Sequence, residues 1–292
     1  MSEYKHLRAA KTDGVARITF DRPKHNVLNI EMMNELITEL KALIADEQLK
    51  CLVLNGAGPS FCAGVEVSDH KPEMAAKMIE TFNHVFEQID RLEVPVIASV
   101  HGACLGGGME VAIACDIIVA AQSALFGQPE IKLAFLPPYA AVRLPHLVGP
   151  AKAVEICTTG KRYSAEEARQ MGMICYAVTD DQLSDATDQL VKEIQYCSPL
   201  IIRLNKLAVK KHLGMGSSQA IESVSELFLN SLMKTEDVLE GIKSFEEKRK
   251  PVWKNKQKSS QKCLLAQYLF WEPRFKSSTT SRLPAVCDPQ RG

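Results

Sequence analysis

The sequence predicts an α/β fold, because short apolar strands alternate with helical stretches along most of the chain. Residues 51–54 form a continuous apolar run of the kind that builds a buried strand. Residues 30–44 instead carry apolar side chains at helical spacing, with acidic residues near the start. A chain of 292 residues can bury a sizeable core, as either one large domain or two small ones.

The predicted elements follow one another at short intervals. Residues 14–20 alternate apolar and polar side chains and include β-branched residues, which is typical of a strand. Pro95 belongs near the start of its strand, since proline cannot donate a hydrogen bond inside a sheet. Ser164 and Glu167 form a capping box for a helix that ends near Gly172. The prediction also comprises strands at 51–54, 94–100 and 116–120, helices at 30–44, 74–92 and from 106 to 115, and turns or loops at 21–26 and 55–59.

Composition divides the chain into three parts. Residues 185–249 are almost wholly helical in pattern, which predicts either a helical subdomain or an arm that packs on a partner subunit. Residues 257–292 are rich in Ser, Thr, Pro and basic residues and lack a sustained amphipathic period, although residues 263–271 are locally apolar. We therefore expect an α/β core over residues 1–184, a helical region over 185–256, and a poorly ordered or aberrant tail after it.

The charge balance argues against several classes of partner. Lys and Arg total 35 and Asp and Glu total 35, so the net charge is zero, whereas nucleic-acid-binding surfaces show a basic excess. The same balance argues against electrostatic attachment to a membrane, and no run of about 18 or more apolar residues predicts a span. The nine cysteines form no CxxC motif and several lie in apolar runs, which indicates buried free thiols in a reducing compartment. With no apolar signal core at the N-terminus, we expect a cytoplasmic location.

Two glycine-containing segments are candidates for a site that stabilises a negatively charged oxygen. Residues 60–66 form a small-residue turn after a strand, and residues 101–110 lead from a strand into a helix through three successive glycines. The first N–H groups of a helix are unpaired and carry partial positive charge, and glycines let a ligand oxygen come close to that backbone. Together with an N–H from the turn at Val65, they would form an oxyanion hole. The alternative is that the glycines only form a tightly packed turn.

Glu110 and Glu130 are the candidate acid/base residues. Glu110 lies in the first turn of the helix after the glycines, where a carboxylate interacts favourably with the helix dipole, although an ordinary helix can begin with such a residue. Glu130 lies in a loop that leaves the strand at 116–120, and alone it could be a surface acid. The His and Cys residues never fall at metal-ligand spacing, so no metal site is expected. The glycines at 106–108 also lack the framing of nucleotide-binding loops.

Five motifs occur together in the chain. They are Arg22-Pro23-x-x-Asn26-x-Leu28-Asn29, Phe61-x-Ala63-Gly64-x-Glu66, His101-Gly102-x-x-x-Gly106-Gly107-Gly108-x-Glu110, Phe126-Gly127-Gln128-Pro129-Glu130, and a C-terminal pattern from Glu236 to Pro251. This combination closely resembles the crotonase (enoyl-CoA hydratase/isomerase) superfamily over residues 5 to about 256. The resemblance implies a crotonase-like spiral of repeated β-β-α units. It also implies acyl-CoA binding and catalysis in residues 1–184, and a helical oligomerisation region over 185–256 that assembles a homotrimer or homohexamer.

The resemblance further implies a mechanism. The thioester carbonyl of an acyl-CoA would accept hydrogen bonds from the backbone N–H groups of Val65 and Gly107, which would stabilise the enolate that forms there. Glu110 and Glu130 match the two carboxylates that hold a water in the hydratases, one activating the water and the other protonating the enolate. The presence of both favours a hydratase, and hence a lyase. Such an enzyme needs no cofactor, because coenzyme A is part of its substrate.

Further residues are assigned to the CoA thioester by the same resemblance. Lys24, His25 and Val27 would line the path of the CoA, and its adenine would lie near residues 63–67. Phe245 and Lys248 would reach the CoA of a neighbouring subunit, although Lys248 could instead be a solvated helix charge. The predicted binding residues are Lys24, His25, Val27, Ala63, Gly64, Val65, Glu66, Val67, Gly106, Gly107, Tyr139, Phe245 and Lys248.

The sequence departs from ordinary hydratases at residues 132–145, where those enzymes carry a glycine-rich run. Pro137, Pro138 and Tyr139 stand there instead, so we expect a stiffer and fuller loop beside the acyl pocket. Residues 61–72 also depart from the usual continuation. Both departures resemble the cyclohexa-1,5-diene-1-carbonyl-CoA hydratases of anaerobic benzoyl-CoA degradation and imply a cyclic dienoyl thioester as substrate. Tyr139 would then lie against the flat ring of the substrate, or pack beneath the loop.

Three other functions are open on the same scaffold. A general short-chain enoyl-CoA hydratase would use the same pair of glutamates, and an isomerase would use the same enolate. A catalytically silent scaffold protein would keep the fold for assembly alone. The absence of one of the two glutamates would favour that function, but both are present. Turnover of a cyclic dienoyl-CoA and of crotonyl-CoA, followed by the loss of enoyl-thioester absorbance, distinguishes these functions.

Overall fold

The computed structural model describes residues 4–210 and 212–256. Within these residues the strands are β1 (Leu7–Thr12), β2 (Val15–Phe20), β3 (Cys51–Gly56), β4 (Val96–Val100), β5 (Ala103–Leu105), β6 (Ile117–Ala121), β7 (Leu125–Gly127), β8 (Arg162–Ser164) and β9 (Tyr176–Val178). The helices are α1 (Ile30–Ile44), α2 (Pro72–Arg91), α3 (Gly107–Ala114), α4 (Pro138–Val148), α5 (Pro150–Thr159), α6 (Ala165–Gln170), α7 (Leu183–Gln195), α8 (Pro199–Lys210), α9 (Ser217–Asn230) and α10 (Glu236–Glu246).

The described strands form two sheets. The large sheet has the order β1-β2-β3-β4-β6-β9, and the small sheet has the order β5-β7-β8. In the large sheet β1 and β2 are antiparallel and the other pairs are parallel. Parallel strands are usually covered on both faces, which explains why all five residues of β4 are buried. In the small sheet β5 pairs with β7 in parallel, and β7 pairs with β8 in antiparallel orientation.

The first helix forms where its apolar spacing predicts it, over residues 30–44. Asn29 caps its N-terminus, because the Asn29 side chain accepts a hydrogen bond from the Met32 N–H at 2.9 Å. The buried face includes Met32, Leu36 and Leu40, which recur at the spacing of one helical face. Full burial of such side chains contributes roughly 1.5–3 kcal/mol each. These contacts pack α1 against the large sheet in the main core.

The structure corrects two sequence predictions near the candidate site. The predicted loop around Pro137 and Tyr139 is wrong, since α4 begins at Pro138. Proline is favoured at the first position of a helix, where its missing N–H would be unpaired in any case. Glu130 was expected in an irregular loop but lies in a short 3₁₀ helix, Pro129–Leu133.

Other boundaries follow from backbone chemistry. The strand predicted at 94–100 begins at Val96, because Pro95 cannot donate to the neighbouring strand. The predicted capping box is confirmed: the side chain of Ser164 accepts from the Glu167 N–H, and the Glu167 side chain accepts from the Ser164 N–H. The strands β1, β5, β7, β8 and β9 were not predicted. The last four have three residues each, which is too short to establish an alternating pattern. Strand β1 has six residues, but only Leu7 among them is buried, so it carries no apolar alternation.

Helices α7 to α10 confirm the predicted helical character of residues 185–249. Helix α8 is held on the core by Lys206, whose ammonium group lies 2.6 Å from the Asp116 carboxylate and donates to the Val94 carbonyl at 2.7 Å. No helix in the described part of the chain combines the length and the apolar character that a membrane crossing requires. The prediction of a poorly ordered tail concerns residues 257–292, which lie outside the described residues.

Candidate active site

The small sheet brings three of the sequence motifs together. Strand β5 runs beside Cys62: the Cys62 N–H donates to the Ala103 carbonyl at 3.1 Å, and the Leu105 N–H donates to the Cys62 carbonyl at 3.0 Å. Gly106 follows β5 directly, and its N–H donates to the Gly127 carbonyl of β7 at 2.9 Å. Because β7 leads straight into the 3₁₀ helix that carries the second glutamate, the three motifs meet at one point.

Two backbone N–H groups are available at this junction. The Leu28 N–H donates to the Gly64 carbonyl at 2.8 Å, and the Leu28 carbonyl accepts from the Glu66 N–H at 2.7 Å. This pairing turns the Val65 N–H away from Leu28, and the described backbone contains no acceptor for it. Gly107 is the first residue of α3, so its N–H has no acceptor within the helix. A β-carbon added to Gly107 would lie 2.5 Å from Cγ2 of Val65, which places the two residues side by side.

Close approach of neighbouring atoms requires glycine at all three positions of the triplet. Gly106 has φ 55° and ψ −131°, a conformation that other residues avoid. A β-carbon on Gly106 would also lie 2.2 Å from Oε1 of Glu130. A β-carbon on Gly108 would lie 2.2 Å from the Cys62 carbonyl oxygen. Tight packing therefore explains Gly108, whereas Gly106 and Gly107 border the glutamate and the available N–H groups.

Glu110 is oriented by the N-terminus of α4. The Ala140 N–H donates to Oε1 of Glu110 at 2.8 Å, and the Tyr139 N–H also hydrogen-bonds this carboxyl group. Glu110 is 2% exposed, so it is not a solvent-facing acid of an ordinary helix start. Burial raises its pKa to about 7; the hydrogen bond from Ala140 opposes this rise, the charge of Glu130 adds to it, and the bond from Tyr139 opposes it.

Glu130 is half-buried and lies against Gly106, since a β-carbon there would be 2.2 Å from its Oε1. With its amide nitrogen turned toward the carboxyl group, the fully buried Gln128 donates to Oε2 of Glu130 at 2.9 Å and to Oε1 at 3.2 Å. Burial raises the pKa of Glu130 to about 7, and a hydrogen bond from its own backbone opposes the rise. When two carboxyl groups lie close together with little contact with water, their repulsion keeps one of the two protonated near neutral pH. One can therefore accept a proton while the other donates one.

The raised pKa of Glu110 predicts a pH-dependent stability. Its pKa of about 7 in the folded protein exceeds the ordinary value of 4.5, so the folded state binds this proton more tightly than the unfolded state. The resulting stabilisation is fully present below pH 4.5 and is lost as the pH rises through 7. Relative to Glu110→Gln, which cannot ionise, we expect the free energy of unfolding of the wild type to fall by on the order of 3 kcal/mol across this range. Urea unfolding of both proteins at several pH values measures this difference, and parallel pH profiles would contradict it.

The segments predicted to bind CoA lie next to each other. The Ala63 N–H donates to the His25 carbonyl at 3.0 Å, so the 24–27 turn runs beside residues 63–67. The His25 ring hydrogen-bonds the hydroxyl of Ser60 at 2.9 Å. Glu66 forms an ion pair with Arg22 at 3.0 Å, and the same arginine donates to the Val27 carbonyl. Lys24 and Val67 are exposed.

Phe245 and Lys248 are not brought to this site within the chain. Phe245 lies near the end of α10 with 85% of its surface exposed, and Lys248 follows it on the surface. Among the described residues, no hydrogen bond or ion pair connects either side chain to the candidate site. Their proposed role would thus require a second subunit.

Tyr139 contacts the protein core through its ring. The ring stacks on Phe86 with centroids 3.8 Å apart and an interplanar angle of 14°, and Phe86 in turn contacts Phe82 at 4.5 Å. A β-carbon on Gly107 would lie 3.0 Å from the tip of Phe82, so this aromatic row reaches the candidate site. The two phenylalanines were not identified from the sequence, although their spacing of four residues on α2 places them on one helical face.

The comparisons with known proteins agree with this geometry. Residues 10–257 match the sequence model of the enoyl-CoA hydratase/isomerase family. The chain belongs to this family. Membership in the enoyl-CoA hydratase/isomerase family confirms the resemblance inferred from the five motifs and the prediction of an enzyme of the enoyl-CoA hydratase type.

Individual relatives of this enoyl-CoA hydratase/isomerase family member carry different names. The chain is 33% identical to the short-chain-enoyl-CoA hydratase of Clostridium acetobutylicum, over 85% of this chain and 97% of that protein. It is 31% identical to the cyclohexa-1,5-dienecarbonyl-CoA hydratase of Thauera aromatica, over 82% of this chain and 93% of that protein. A crystal structure of an enoyl-CoA hydratase from Bacillus anthracis superposes with a TM-score of 0.82 at 29% identity, covering 86% of this chain and all of that one. This superposition confirms the predicted crotonase-like fold.

Proposed function

We propose that this chain adds water to the conjugated double bond of an enoyl- or dienoyl-CoA thioester. The proposal depends above all on two carboxyl groups, the buried one of Glu110 and the half-buried one of Glu130, that lie beside the glycine triplet and the N–H groups of Val65 and Gly107. Two carboxyl groups in a buried site destabilise the folded protein when both are ionised, so a protein that served only as a scaffold would have little reason to keep them. Their raised pKa values suit proton transfer near neutral pH.

In the proposed reaction the thioester carbonyl accepts hydrogen bonds from Val65 and Gly107. The ionised carboxylate of the pair removes a proton from a water molecule as the water oxygen bonds to the β-carbon. The electrons of the double bond move to the thioester oxygen, whose negative charge the two N–H groups stabilise. The protonated carboxyl of the pair then delivers a proton to the carbon skeleton of the enolate. The reaction uses no group beyond these residues and the substrate, because coenzyme A belongs to the substrate.

We further propose a cyclic dienoyl thioester as the acyl group. Pro137, Pro138 and Tyr139 stand where ordinary hydratases carry a glycine-rich run, and the first turn of α4 is held by the hydrogen bond from the Ala140 N–H to Glu110. The wall beside the glutamates is therefore preorganised, which suits a rigid ring better than a flexible chain. Phe86 stacks on one face of the Tyr139 ring, and in this proposal the other face lies against the flat substrate.

A comparison of two substrates tests this choice. We expect kcat/KM for cyclohexa-1,5-diene-1-carbonyl-CoA to exceed that for crotonyl-CoA by at least about 10–200-fold, the range that apolar shape alone provides. The loss of enoyl-thioester absorbance measures both rates, and Glu130→Gln should abolish most of the turnover of each if one site serves both. Equal or better turnover of crotonyl-CoA would identify a general short-chain hydratase, the function in the name of the Clostridium relative. A shifted double bond without added water would identify an isomerase, and no turnover of any enoyl thioester would support the scaffold.

We also propose that the chain assembles as a homotrimer or homohexamer. Residues 1–184 supply every proposed site residue except Phe245 and Lys248. Several large apolar side chains in the C-terminal helical region, on the helices and in the turn between α8 and α9, are exposed in the single chain, as an assembly surface requires. They include Val209, Leu213, Ile221, Phe228, Leu229, Leu239, Ile242 and Phe245.

A further inference from the structure

Asn26 occupies a buried position between the two segments that flank the candidate site. Only 1% of the surface of Asn26 is exposed. The side-chain nitrogen lies 2.8 Å from the carbonyl oxygens of Ala57 and Ser60 and 3.2 Å from that of Phe61. Its side-chain oxygen accepts from the Arg22 N–H at 3.0 Å. The amide thus joins the 22–28 turn to the 57–61 loop, and a side chain without an amide could not satisfy all four contacts.

The backbone of Asn26 is equally specialised. Its φ is 53°, in the left-handed region that asparagine and glycine tolerate better than other residues. The Asn26 N–H donates to the Arg22 carbonyl at 2.9 Å and closes the turn. The Asn26 amide and its backbone conformation therefore set the position of residues 27 and 28 relative to residues 62–66, together with the backbone hydrogen bonds of His25 and Leu28 to that segment.

Two residues further on, Leu28 controls the orientation of Val65. The Leu28 N–H and carbonyl bond Gly64 and Glu66, so the peptide between them can only turn its N–H to the other side. We propose that Asn26 is a positioning residue that aligns the Val65 N–H with the thioester carbonyl of the substrate. This inference rests on the proposed function, because it assumes that Val65 is one of the two donors to that carbonyl. Asn26 itself touches no reacting atom.

The test follows the substrate carbonyl directly. Butyryl-CoA, which has no double bond to hydrate, is labelled with ¹³C at the thioester carbonyl, and its infrared stretching band is recorded free and bound to the full-length protein. Two N–H donors lower this frequency in the wild type. In Asn26→Gly, which keeps the backbone conformation accessible but removes the amide, we expect the band to move back toward its free position. We also expect kcat for crotonyl-CoA to fall about 10- to 100-fold. This fall is no larger than the fall in kcat that follows the removal of a whole oxyanion-hole donor.

Asn29→Ala is the matched control. Asn29 lies three residues from Asn26, and its replacement by alanine removes the cap of α1. The lost bond to the Met32 N–H should cost about 1 kcal/mol of stability without moving Val65. Its carbonyl band and kcat should remain at wild-type values. Asn26→Asp, which keeps the shape and the acceptor for Arg22 but places an oxygen against three carbonyls, should shift the band in the same direction as Asn26→Gly.

The outcomes separate the inference from the proposed function. A wild-type protein that binds butyryl-CoA without any change in the carbonyl band would overturn the proposed oxyanion hole. A normal wild-type shift that Asn26→Gly retains, with kcat within about threefold of wild type, would overturn the positioning role alone. Failure of both Asn26 variants to fold would also overturn it, because Asn26 would then support the fold rather than the alignment.

Discussion

Replacing either Glu110 or Glu130 with glutamine is expected to lower kcat by about 10²–10⁴-fold. Glutamine has nearly the same shape and keeps an oxygen that can accept the Ala140 N–H at position 110, so the fold should survive. It cannot take up or release a proton, so it could neither remove a proton from the water nor donate one to the enolate. Steady-state hydration of crotonyl-CoA and of the cyclic dienoyl-CoA measures kcat, and calorimetric titration with butyryl-CoA should show little change in affinity.

Glu73→Gln is the matched control for this experiment. Glu73 also lies in the first turn of a helix, α2, but it is exposed. If Glu110 were important only for its interaction with the helix dipole, the two substitutions would have similar small effects. Near-wild-type hydration by Glu110→Gln or by Glu130→Gln would show that the water-holding pair is wrongly assigned.

Substituting Gly106 with alanine should cost nearly as much activity, about 100-fold in kcat, through two steric effects. A β-carbon would lie 2.2 Å from Oε1 of Glu130 and push that carboxyl group out of position. The backbone angles of Gly106 would also strain any other residue by roughly 1–3 kcal/mol. Because Gly107 comes next in the chain, relief of this strain would displace its N–H as well.

Kinetics and thermal unfolding together test this prediction. Gly216→Ala is the control, since Gly216 has an ordinary φ of −64° and a β-carbon there meets nothing within 4 Å. We expect Gly216→Ala to leave kcat unchanged. If Gly106→Ala kept wild-type kcat with a lowered Tm, the glycine would serve packing alone and the carboxyl group of Glu130 would tolerate the displacement.

The elements with long, regular patterns could be predicted from the sequence. Helix α1 has the bounds that its apolar spacing predicts. One face of a surface helix must be buried, and this requirement places apolar residues at regular intervals along the sequence. Strands of three residues, such as β5 and β7, carry no such pattern. They exist because backbone groups of distant segments pair with one another, as Gly106 does with Gly127.

The candidate site divides in the same way. Residues 65, 107, 110 and 130 could be identified as site candidates from local motifs. Glycines before a helix and a carboxylate after them lie within a few consecutive residues and are visible in the sequence. Their surroundings could not. The bond from Ala140 to Glu110 spans thirty positions in the chain, and the stacking of Tyr139 on Phe86 depends on how α4 packs against α2.

The sequence by itself determined the α/β class, the family and the two glutamates, because these depend on patterns within a few neighbouring residues. Only the tertiary structure decided which groups surround those glutamates. It showed that α4 begins at Pro138 and directs its first N–H groups at Glu110, and that the loss of hydration at the two carboxyl groups raises their pKa values to about 7. Burial and the distance between charges result from the packing of elements that are far apart in the chain, so they cannot be predicted from any single stretch of sequence.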